Sequence, residues 1–225
     1  MNTLRRVALP GLISLAITLL RLFGERWHWS ERWFSTATGG IVPSGMSWLF
    51  GITWLALPFG AWFAWQLVRA GERPASAAHA LGHAVFGVVL VLALLVFGGL
   101  ERVPLGFPHY LIVVWAVMAV AAAMQWPTWR ALAKTLVVYG LVSRIPVVII
   151  MLLAMRGGWG THYDYVGRSR PLLLPLWPRF FWLAFFPQLV FWVGFTVLAG
   201  SLAGSVVALL AARSAREAAP AGRLA

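Results

Sequence analysis

The chain has 225 residues, of which 61% are hydrophobic and 11% charged, with a mean hydropathy of +0.82. Soluble domains carry about a quarter charged residues, so this composition excludes an ordinary water-soluble domain and points to a bilayer. The formal charge of +12 comes from 18 Lys and Arg against 6 Asp and Glu. These bases stand singly or in pairs at the ends of apolar runs, where they meet lipid headgroups, and they form no stripe that would read nucleic acid. The absence of cysteine excludes disulfides, thiolate catalysis, iron-sulfur clusters and Cys-based zinc sites.

A membrane crossing takes about 20 helical residues. Apolar runs of that order lie near 7–24, 46–68, 78–100, 109–126, 131–155 and 180–211. The expectation is an all-α, polytopic membrane bundle of about six transmembrane helices, forming one domain over 1–212 with a short basic tail at 213–225. The first run follows Arg5-Arg6 but lacks a small-residue exit, so it is read as an uncleaved membrane helix. Pro108 and Pro127 bracket the fourth run as start and stop signals.

The connections 25–45 and 157–179 are long, and a six-helix serpentine puts both on one face. Nine bases on the tail side against eight on the long-loop side favour cytoplasmic termini in a bacterial inner membrane. Ten of the fourteen Trp, Trp27 and Trp177 among them, fall where an interfacial belt would place them. Gly200, Gly204 and Ala208 form a small-residue stripe that suits packing against another helix, inside the bundle or in a partner.

Arg144 is the costliest residue in this pattern. It stands near the centre of the fifth run, two residues before Pro146, where the helix is expected to kink. An arginine at mid-membrane costs roughly 2.5 to 3.5 kcal/mol on insertion scales. Pro146 displaces the carbonyl of Val142, and Tyr139, Ser143 and Gln66 are the expected polar neighbours. No carboxylate shares its depth, so the charge is read as a counter-ion for a lipid-like or small anionic molecule that the protein binds or transports.

A second expectation is a membrane-embedded enzyme on the long-loop face. Glu101, His109, His162 and Asp164 fall there and supply oxygen and nitrogen ligands or acid-base groups. Arg168 and Arg170 could hold lipid phosphates. A third expectation is a non-catalytic subunit or assembly factor of a membrane complex. His79 and His83 share a helix face at four-residue spacing but lack an acidic third ligand, since Ala80 follows His79. No phosphate loop or dinucleotide fingerprint appears. Membrane lipids are therefore the expected partners, nucleic acid, metal and cofactor are not expected, and the balance leans away from catalysis.

Overall fold

A computed structural model of the chain describes residues 2–36, 46–98, 107–164 and 174–217. The described residues are mostly helical and include no strand. The helices are α1 (Thr3–Arg26), α2 (Ala56–Arg69), α3 (Ala77–Gly98), α4 (Phe107–Ala123), α5 (Arg130–Gly157), α6 (Leu176–Phe180) and α7 (Val193–Glu217). Between α6 and α7 the helix continues as two π-helical stretches, Phe181–Phe185 and Pro187–Trp192. Among the described residues, four segments are long and apolar enough to cross a membrane: Thr3–Arg26, Ala77–Val96, Arg130–Gly157 and Leu176–Ala215.

The second apolar run does not form one helix over 46–68. Ser47–Phe50 make a 3-10 turn, Gly51 donates back to the Trp48 carbonyl, and α2 starts only at Ala56. Pro58 supplies the reason. It has no N–H to bond the carbonyl of Trp54, and a helix tolerates proline in its first turn, where amides lack intrahelical partners anyway. At 14 residues α2 is about 21 Å long, short of a full crossing.

The chain divides into two compact units, one from residues 1–55 and 138–193, the other from 56–137 and 194–225. In the first unit, α1 is capped by Asn2, whose side chain accepts from the Leu4 amide, and contains Pro10. The α1 carboxyl end is closed by Trp29 N–H donating to Gly24 O and His28 N–H to Glu25 O, with His28 in the left-handed region at φ 49°. These two bonds form a Schellman motif with histidine in the position glycine usually takes.

The second unit uses the same device at α2. Gly71 has φ 81°, Glu72 N–H reaches Leu67 O and Gly71 N–H reaches Val68 O. Ser76 then caps α3 by accepting from the His79 amide at 3.2 Å. Here the Gly200, Gly204 and Ala208 stripe is buried within the unit itself. A Cβ placed on Gly60 of α2 would lie 2.4 Å from the Gly200 Cα, and one on Gly204 3.0 Å from the Ala64 Cβ, so α2 and α7 touch backbone to backbone.

Candidate functional site

The polar groups of the first unit collect around two centres. The first is Arg144, held near the middle of α5. The α5 residues Ile145, Ile149 and Leu153 are exposed and apolar, whereas Arg144, Val147, Val148 and Met151 point inward. Arg144 is only 5% exposed, so it faces the interior of its unit rather than the apolar outer surface.

Its ligands come from distant segments. One guanidinium nitrogen donates to Gln188 Oε1 and the other to Thr53 Oγ1, each at 3.2 Å. The guanidinium carbon lies 5.1 Å from the Trp192 ring centroid, in cation–π range. Nε has no hydrogen-bond partner among the described residues, nor does a carboxylate there come within ion-pairing distance. Among the described residues the charge is thus solvated by neutral groups, with no carboxylate to compensate it.

Ser143 Oγ donates to Gly140 O at 3.0 Å, the Tyr139 hydroxyl pairs with Ser14 Oγ at 2.9 Å, and Gln66 belongs to the other unit. Serine in a helix interior commonly donates to its own preceding turn, and Ser143 does so here. The guanidinium's hydrogen-bond acceptors are Gln188 and Thr53. Gln188 follows Pro187 inside the widened π-helical stretch, an irregularity often associated with functional positions. A lone amide next to a proline in an apolar run was the sequence signal for it.

The second centre joins α1 to the 3-10 turn His162–Asp164. Glu25 is 1% exposed, and its carboxylate accepts from Arg21 Nε at 2.8 Å, from the His162 amide at 2.8 Å and from His162 Nδ1 at 2.7 Å. A carboxylate can only accept, so the ring proton sits on Nδ1 and Nε2 keeps its lone pair. The Tyr163 hydroxyl donates to Thr18 O at 3.2 Å, one and two turns along α1 from Arg21 and Glu25, which ties the turn to a single helix face.

Asp164 holds the turn itself. It accepts from the Gly160 amide at 2.7 Å and the Thr161 hydroxyl at 2.8 Å. Gly158 and Gly160 have φ 57° and 70°, the left-handed geometry that ends α5 sharply and feeds this turn. Burial holds the His162 imidazole below its ordinary value, partly opposed by its bond to Glu25, while Arg21 adds to the lowering. Burial also pushes the Tyr163 phenol upward.

Neither a protein family, nor a curated protein, nor a solved structure matches the chain.

Of the expected long-loop set, His162 and Asp164 share one turn, with Asp164 engaged in capping. His109 begins α4 in the other unit and is exposed. Glu101, Arg168 and Arg170 lie outside the described residues. Among those described, no three His, Cys, Asp or Glu side chains come together as a metal set. The His79 and His83 rings do meet, edge to face at 4.4 Å, as their spacing requires.

Proposed function

We propose that this chain is a multi-pass membrane protein that binds or moves a lipid-like or small anionic molecule, with Arg144 as its buried counter-charge. The observation carrying this reading is an interior guanidinium held by Gln188, Thr53 and Trp192, with no carboxylate among the described residues bonded to it. In a low-dielectric interior a lone cation is unfavourable, and an anion arriving from outside relieves it. Neutral ligands orient the guanidinium while leaving its charge for that anion, whereas a carboxylate would cancel it. The setting proposed is a bacterial inner membrane with cytoplasmic termini.

The test uses radiolabelled oleate as a lipid-like carboxylate and radiolabelled acetate as a small one, bound to detergent-purified protein. At least one probe should bind the wild type, Arg144→Gln should abolish that binding and Arg144→Lys should keep part of it, with helix content and monodispersity unchanged. Binding that survives in folded Arg144→Gln, or a wild type that takes neither probe, would sink the reading.

A second reading is carried by the contact between Glu25 and His162. A carboxylate that fixes the Nδ1–H tautomer and leaves Nε2 basic is the arrangement of a general base, which suits a membrane-embedded enzyme at the long-loop face. Modification of the purified protein by diethylpyrocarbonate at pH 7 tests its premise. His162 should acylate rapidly and Glu25→Gln should slow it; an unreactive His162 removes the base from this proposal.

A further inference from the structure

The second unit contains a cavity of about 430 Å³ between the α2–α3 turn and the last turns of α7, and no sequence motif foreshadows it. Alanines make the space: Ala75, Ala77 and Ala78 on one wall, and Ala208, Ala211 and Ala212 on the other, leave it unfilled. Val68 and Leu209 give it an apolar flank, and Arg73 and Arg213 bring two permanent cations to the lining. No carboxylate lines it among the described residues.

Two further features fit this chemistry. Ser76 caps the His79 amide, and α3 carries no acidic residue in its first turn, so the helix amino end adds partial positive charge uncancelled by its own first turn. Along the same helix as Val68, Trp62 stacks on Trp65 at 5.0 Å and Arg69 lies 4.8 Å over the Trp65 ring. Exposed tryptophan with arginine at the end of an apolar helix marks headgroup depth in a bilayer.

We infer that this cavity is a binding site for a phosphate group, carried by an anionic lipid headgroup or by a free phosphate, with Arg73 and Arg213 as the paired cations. Guanidinium forks match phosphate oxygens in geometry as well as charge, and the alanine walls leave room for the attached glycerol or for water. The site lies wholly within the second unit and does not depend on Arg144.

The experiment measures retention of phosphatidylglycerol by the full chain purified in a neutral detergent, by native mass spectrometry, and competition by inorganic phosphate. The wild type should hold one phosphatidylglycerol with preference over phosphatidylcholine, and the double variant Arg73→Ala/Arg213→Ala should weaken it about tenfold or more. Ala212→Trp, which fills the cavity and leaves the charge untouched, should weaken it comparably. Displacement by millimolar phosphate would show that the phosphate is the recognised group and is accepted free as well as in a lipid. Retention that resists phosphate would assign the site to the intact headgroup. Binding of inorganic phosphate alone, lost in the double variant, would assign it to free phosphate. Equal retention of phosphatidylglycerol by the wild type and the folded double variant, or no binding of either probe, would overturn the inference.

Discussion

Glu25 and His162, 137 residues apart, are joined twice, since one carboxylate oxygen accepts both the His162 amide at 2.8 Å and its ring Nδ1 at 2.7 Å. The other oxygen is held by Arg21 from the same helix. Removing the carboxylate charge therefore strands an almost buried Arg21 and releases the 3-10 turn together. Glu25→Gln should lower stability by about 3 kcal/mol, the range found when one partner of a buried pair is lost. His162→Ala, which leaves the Arg21 pair intact, should lower it by about 1 to 2 kcal/mol. Thermal denaturation in detergent reads both; an equal effect of the two would mean that Arg21 contributes nothing to the pair.

The same contact fixes a pH dependence. The native imidazole lies below its unfolded value near 6.5, through burial first, with Arg21 lowering it further and Glu25 and Asp164 opposing. Between the native and unfolded values the unfolded chain binds more protons, so stability rises with pH there and falls as the solution is acidified below about 6.5. The melting temperature should be flat from pH 8 to 7 and drop toward pH 5.5, and His162→Gln should remove most of that drop. A wild type that gains stability on acidification would mean that the imidazolium, held by Glu25, is the native form.

Arg144 and Gln188 should respond with opposite signs. Arg144→Met removes an uncompensated cation while keeping an unbranched chain of related length, so the protein without ligand should be unchanged or stabilised, by up to about 2 kcal/mol. Gln188→Leu removes a neutral acceptor and leaves the cation behind, and should destabilise by about 1 to 3 kcal/mol. Melting curves of the two variants, taken without added anion, make the comparison. A loss of several degrees in Arg144→Met would assign the guanidinium to holding the core together.

In the second unit, Gly60→Ala should be worse than Gly200→Ala. The new methyl at Gly60 meets the Gly200 backbone at 2.4 to 2.8 Å, which only a separation of α2 from α7 can relieve. At Gly200 the obstacle is the tip of Leu136, a flexible side chain that can turn aside. Overpacking of this kind costs about 1 to 3 kcal/mol, and the Gly60 variant should sit at the upper end. Similar melting temperatures for the two would show that the helices part easily.

The sequence by itself determined what depends on neighbours along the chain. Composition and run length specify helices of membrane-crossing length, because each helix satisfies its own backbone polar groups. The ends of several were equally local: Gly71 and Gly158 permit the left-handed turn, and Ser76 supplies an acceptor for an amide that has none. The position of Arg144 inside an apolar run was legible as a cost. Only the tertiary structure decided who answers that cost. Thr53 and Gln188 reach it, since Pro58 delays α2 past Thr53 and the helix around Pro187 widens at Gln188. Glu25 likewise stood among ordinary interfacial acids until the turn at Gly158 and Gly160 carried His162 onto the face of α1. A side-chain bond across 44, 91 or 137 residues leaves no period in the sequence, because it depends on how helices are brought together and not on how each one is made.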